Sequence, residues 1–99
     1  MQYMTSRIIQ RDSETRPDGV RVEMVVWAVE PPVAGSGHGY KYRLYAGSDG
    51  KTLVRYDNEV GKGDHKHEGA AEVEVPYRFV SMERTIRDFL DDVARLTKG

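Results

Sequence analysis

Hydrophobic and polar positions alternate with a period of two over much of the chain and switch to a helical period near its end. Val20 to Val29 carries the clearest strand signature. Val20, Val22, Met24, Val26 and Ala28 form one continuous apolar face, while the other positions run from Arg21 and Glu23 to Val25, Trp27 and Val29. Tyr40 to Ala46 alternates more cleanly, with Tyr40, Tyr42, Leu44 and Ala46 one way and Lys41, Arg43 and Tyr45 the other. Thr52 to Asn58 follows the two-residue hairpin signal Asp49-Gly50 and sets Val54 and Tyr56 against Leu53, Arg55 and Asp57. Another strand is expected over Tyr3 to Arg11, ahead of the Arg16-Pro17-Asp18-Gly19 turn. A short edge strand is expected over Val73 to Phe79, because Pro76 lacks the N–H that a central ladder needs.

From Met82 the period changes. Met82, Ile86, Phe89, Val93 and Leu96 recur at spacings of four, three, four and three, which places them on one helix stripe. Ser81 is suited to cap that helix, and Glu83 to its positive end. The expected architecture is α+β: a single twisted antiparallel sheet of four to five strands with the C-terminal helix packed on one face. Ninety-nine residues suit one domain over 1–99.

Composition narrows the chemistry. With no cysteine there is neither a disulfide framework nor a thiolate metal site. No apolar run approaches the ~20 residues of a membrane span, so no membrane partner and a cytoplasmic location are expected. A formal charge of −1 supplies no global field for nucleic acid, and any such binding must come from a local patch.

The densest polar run is Tyr56 to Glu68, read as leaving the end of a strand and entering a solvated loop. Three kinds of chemistry fit it. His65 and His67 with Lys62 or Lys66 have the residue types for acid–base cleavage of RNA, in which the 2′-hydroxyl loses a proton, the 5′-oxygen gains one and a cation meets the phosphorane. Asp64 or Asp57 would orient an imidazole. The His-x-His pair with a carboxylate also resembles part of a metal site, but no third histidine lies close in sequence, and no metal or other cofactor is expected. Gly61-Lys62-Gly63 offers backbone amides to phosphate without the spacing of a nucleotide-hydrolysing loop. Against these stands a plain charged turn; if the loop is instead a functional unit, replacing both histidines by Ala would leave the melting temperature within a few degrees and abolish its activity. The sheet face turned away from the helix displays Trp27, Lys41, Arg43, Tyr45 and Arg55, a set of cations and aromatics that suits single-stranded RNA or a protein partner.

The run Tyr56-Asp57-Asn58, then Gly61-Lys62-Gly63-Asp64-His65-Lys66-His67, with Pro76-Tyr77-Arg78-Phe79 and Asp88-Phe89, resembles the TumE family of toxin–antitoxin proteins. Val26-Trp27 and Tyr40 to Leu44 resemble its strand segments, and the likeness runs from about Val20 to Val93. The stretch Gly69–Val75 departs from it as an acidic insertion or edge strand, and the chain through Arg16 is hard to match. The resemblance implies a toxin held inactive by a cognate helix-turn-helix antitoxin. The resulting expectation is a toxin acting on RNA as a metal-independent endoribonuclease, with homodimerisation open. The alternative is a non-enzymatic module that binds protein or nucleic acid.

Overall fold

The computed structural model describes residues 4–97. Six strands, β1 (Thr5–Thr15), β2 (Arg21–Glu30), β3 (Tyr40–Ser48), β4 (Lys51–Glu59), β5 (Gly63–Glu68) and β6 (Val73–Pro76), precede one helix, α1 (Met82–Thr97). The strands form a single antiparallel sheet in chain order, each pairing with the next. The expected α+β arrangement is present, but with six strands rather than four to five. The sixth is β5, inside the run that reads as a loop in the sequence. Its residues alternate without one apolar side chain, so hydrophobic periodicity gave it no signal.

The other elements follow from their chemistry. Asp49 and Gly50 both take positive φ, 53° and 73°, the geometry of a two-residue hairpin that matches strand twist. The Arg16–Gly19 turn closes with the Gly19 amide donating to the Arg16 carbonyl at 2.9 Å. The first strand extends to Thr15, past the expected Arg11, while the start of the expected span, Tyr3, lies outside the described residues. Pro76 ends β6 at the sheet edge, where its missing N–H costs no ladder bond. At the helix start Ser81 Oγ accepts the Arg84 amide at 3.0 Å, a standard N-cap bond.

The helix covers β3 and β4, and the core lies between them. Val22, Val26, Tyr42, Leu44, Ala46, Val54 and Tyr56 from the sheet meet Phe89 and Val93. The even-numbered positions of β2, β3 and β4 therefore face the helix, and the odd-numbered ones form an open face. Register carries this parity into β5: Tyr56 pairs with Lys66 and Asn58 with Asp64, so those side chains turn to the helix side. His65 and His67 turn to the open face.

Candidate functional site

Gly61 lies at the centre of the β4–β5 hairpin. Residues equidistant from it pair, so Asp57 sits opposite His65 and Arg55 opposite His67. The two imidazoles consequently lie side by side on the open face, ring centroids 4.9 Å apart and edge-on. They are buried rather than solvated, with 3% and 7% exposure, because β5 is an inner strand flanked by β4 and β6. Gly63 fixes the start of that strand. Its φ is +73°, and a Cβ there would stand 2.6 Å from the Gly35 carbonyl oxygen, so no side chain fits.

Hydrogen-bond roles assign the tautomer of each ring. Arg55 Nη2 approaches His67 Nδ1 at 2.7 Å; a guanidinium can only donate, so Nδ1 accepts. The proton of His67 is then on Nε2, which donates to Glu74 Oε1 at 3.1 Å. In His65, Nδ1–H donates to the Gly63 carbonyl at 3.1 Å, because a carbonyl can only accept. Its Nε2 faces Asp57 Oδ1 at 2.8 Å. That contact is close but misaligned: both atoms are buried and, among the described residues, neither has a hydrogen-bond partner. Arg55 Nε, 3.2 Å from Asp57 Oδ2, is buried and misaligned in the same way. Glu59 and Glu74 reach within 3.7 and 3.9 Å of His65 Nε2. Asp57, His65 and His67 each bring a metal-ligand type of atom within 4.8 Å of the others.

The remaining loop residues go elsewhere. Lys62 is exposed in the turn and reaches Glu74 Oε1 at 3.4 Å, on the histidine side. The Gly61 and Lys62 amides donate to Ala34 and Glu59 carbonyls at 2.7 and 3.1 Å, so they are not offered to phosphate. Asp64, expected with Asp57 as an alternative to orient an imidazole, lies across the sheet from both His65 and His67, whereas Asp57 is opposite His65. Asp64 accepts from Ser36 Oγ at 2.8 Å and Tyr42 Oη at 2.6 Å, and pairs with His38 Nε2 at 2.9 Å. Burial first, and the carboxylate of Asp64 second, push the Tyr42 phenol well above its ordinary range, which keeps it a donor. The buried Asn58 completes this network, accepting the Tyr42 amide and donating to the Tyr40 carbonyl.

Lys66 is likewise on the helix side, bound to Glu68 at 2.9 Å and Asp92 at 3.0 Å. Burial opposes the charge on Asp92, but hydrogen bonds from Tyr56, Lys66 and Arg95 outweigh it and hold the carboxyl below its usual value. A depressed carboxyl stabilises the fold above the unfolded value near pH ~3.9, and that contribution is lost as pH falls through the folded value. Asp92→Asn is expected to cost about 1.5–3 kcal/mol at neutral pH and to flatten the loss of stability below about pH 4. Urea titrations from pH 2 to pH 7 measure both.

The cations and aromatics of the open face form rows with the histidines. Arg43, Asp57 and His65 are in register across β3, β4 and β5, as are Tyr45, Arg55 and His67. Arg43 is thus two strand spacings, about 10 Å, from His65. Lys41 Nζ stands 6.0 Å from the centre of the Trp27 ring, and the Arg43 guanidinium 5.1 Å from that of Tyr45. Arg43 also approaches Glu23 at 3.5 Å, whereas Arg55 is committed to Asp57, Glu72 and His67.

Sequence reasoning missed Glu59, Glu72 and Glu74 as members of the site. A hairpin centred on Gly61 would have paired Asp57 with His65 and Arg55 with His67, but it required β5 to be recognised as a strand. A groove of about 470 Å³ lies on the helix side between Val22, Met24, Leu90 and the β1 residues Asp12 and Glu14; it contains none of the expected site residues. No helix among the described residues is long and apolar enough to cross a membrane.

No curated protein and no solved structure matches the chain. A family model described as Toxin TumE matches residues 3–97, nearly the whole sequence, and the chain belongs to that family.

Proposed function

We propose that this TumE-family toxin acts on RNA, cleaving the phosphodiester backbone at the open-face cluster of Asp57, His65, His67 and Arg55. Membership of a toxin family implies an antitoxin that restrains it; we take that partner to be of the helix-turn-helix kind. The observation that carries the RNA reading is the register: two adjacent imidazoles and a guanidinium share one sheet face with Lys41, Arg43, Tyr45 and Trp27. Such a face can hold a single strand by phosphate contacts and stacking, with its backbone crossing toward β5.

In this reading His65 serves as the proton-transfer group, since its Nε2 is the ring nitrogen without a hydrogen-bond partner. His67 and Arg55 hold each other in place, and the Arg55 guanidinium presents positive charge to the phosphate. Asp64 and Lys66 have no part in it, being on the helix side. Lys62, exposed at the rim, is available to the phosphate beside the cleaved bond.

The test is binding and cleavage of a short single-stranded RNA by the free toxin. Lys41 and Arg43 changed together to Gln should weaken binding and make the log–log salt dependence shallower by roughly 0.7 for each phosphate no longer neutralised. Trp27→Ala should weaken binding through stacking, about 1–3 kcal/mol, with little change in slope. Fluorescence anisotropy over a salt series reads both. Binding that is unchanged in all three positions at every salt concentration would remove the face from the RNA path and favour a protein-binding role for it.

A further inference from the structure

The cluster proposed to act on RNA has a charge problem. Asp57, Glu59, Glu72 and Glu74 bring four carboxylates to the space around His65 and His67, while Arg55 and Lys62 bring two cations. With the imidazoles neutral, two negative charges are in excess where a phosphate should approach. Two buried acceptor atoms at the centre are also left without donors. His65 Nε2 and Asp57 Oδ1 face each other at 2.8 Å, and each lacks a hydrogen-bond partner among the described residues. With the His65 proton held on Nδ1 by the Gly63 carbonyl, two lone pairs point into the same small space.

We propose that this space holds one divalent transition-metal cation, bound by His65 Nε2, Asp57 Oδ1 and Glu74 Oε1, with Glu59 Oε1 in reach as a fourth ligand. Asp57 Oδ1 stands 2.8 Å from His65 Nε2, and the half-exposed Glu74 and Glu59 carboxylates 3.9 and 3.7 Å from it, so the two glutamates have to close in slightly to reach the ligand–ligand spacing of about 3.0–3.4 Å expected when each ligand lies ~2.0–2.2 Å from one metal. The surrounding bonds are those that orient metal ligands. His65 donates its far ring N–H to a backbone carbonyl, and His67 Nε2–H donates to the Glu74 carboxylate. His67 itself is kept out of the ligand set by Arg55, which occupies its Nδ1 and so leaves the proton on Nε2. One imidazole with two or three carboxylates is a borderline-to-hard donor set, which suits Mn²⁺ better than a thiolate-seeking ion. The bound cation cancels the excess negative charge and turns the cluster into a phosphate-accepting site. With the cation bound, His65 Nε2 would be a ligand and would no longer carry a proton, so this site stands as the metal-bound alternative to the metal-independent chemistry above, and its role in cleavage rests on the RNA reading.

The test reads the cation without RNA. Metal-stripped full-length toxin is titrated with Mn²⁺ by calorimetry, and ¹H–¹⁵N spectra of the same protein are recorded as Mn²⁺ is added. One saturable equivalent is expected, with paramagnetic broadening first at Asp57, Gly63, His65 and Glu74. His65→Asn, which can still donate to the Gly63 carbonyl, should weaken binding at least 100-fold, and His67→Asn, which can still accept from Arg55 but no longer reaches Glu74, about 10–100-fold by releasing that carboxylate. Circular dichroism checks that the variants fold. Because the broadening pattern is read on the unaltered chain, a variant that misfolds does not rescue or sink the proposal. No saturable binding, or broadening that begins at other acidic residues, would overturn it. Mn²⁺ bound as described in a protein that leaves RNA intact would uphold the site and overturn the RNA reading instead.

Discussion

Expression of the His65→Asn toxin without its antitoxin is expected to permit growth at the rate of an empty-vector control, where the unaltered toxin arrests it. The substitution keeps a donor toward the Gly63 carbonyl and deletes Nε2, the atom that faces Asp57 at 2.8 Å. Whether Nε2 carries a proton or holds the cation, its loss is expected to slow the reaction by about the 10²–10⁴-fold typical of a positioned acid or base, enough to convert growth arrest into growth. His65→Ala is a poorer probe. The ring is 3% exposed within an inner strand, so its removal leaves a hole and strands the Gly63 carbonyl. A destabilisation of about 1–3 kcal/mol is expected from that unsatisfied group alone. The loop reading, in which both histidines could be removed at little cost in melting temperature, does not apply to side chains buried in a sheet. Immunoblotting for toxin level separates impaired chemistry from reduced protein.

The largest stability effect is expected at Phe89→Ala. Phe89 is fully buried at the centre of the helix stripe, with its ring edge-on to Tyr56 at 5.9 Å. Truncating a buried Phe costs about 3–5 kcal/mol through forfeited transfer energy and the cavity left behind. Against a total stability of roughly 5–15 kcal/mol this is a large fraction. The melting temperature should fall by at least about 12 °C. A calorimetric scan checks this, and a fall of only a few degrees would mean that the helix is not held by this stripe.

The two positions also show what could be read from the sequence. Phe89 belongs to a stripe whose spacing is sustained over four turns, and β2, β3 and β4 each bury one apolar face, so periodicity located them. The strand bearing His65 buries polar side chains against polar neighbours. Its face is filled by imidazoles, a guanidinium and carboxylates, which a hydrophobic pattern reads as solvent-exposed. Once β5 is missed, parity is lost. Asp64 and Lys66 then look like neighbours of the histidines, although alternation sends them to Tyr42 and Asp92 on the far side of the sheet. Glu72 and the β6 residue Glu74 fall in the stretch that departs from the family pattern, and the expected edge strand over Val73 to Phe79 takes in Glu74. Their contacts with Arg55, Lys62 and His67 depend on a pairing that runs across three strands.

Structural and chemical roles divide along the two sheet faces. The helix-side polar groups, Asp64 with Tyr42 and Asp92 with Tyr56 and Lys66, are mutually satisfied and tie the sheet to its loops and helix. The open-face cluster instead retains unpartnered buried atoms. Unsatisfied polar atoms are costly in a structural core and persist where a ligand or reaction uses them. Substitutions on the helix side should therefore act through stability and toxin abundance, and conservative ones on the open face that keep the structural bonds, such as His65→Asn, through activity at normal abundance.

The most direct measurement is a time course of one end-labelled single-stranded RNA with purified, antitoxin-free toxin in Mn²⁺-containing buffer, run beside His65→Asn protein of matched circular dichroism. The account predicts discrete cleavage products with the unaltered toxin and loss of at least about 99% of the initial rate in the variant. Equal cleavage by both proteins, or an intact RNA with toxin that still arrests growth, would contradict it.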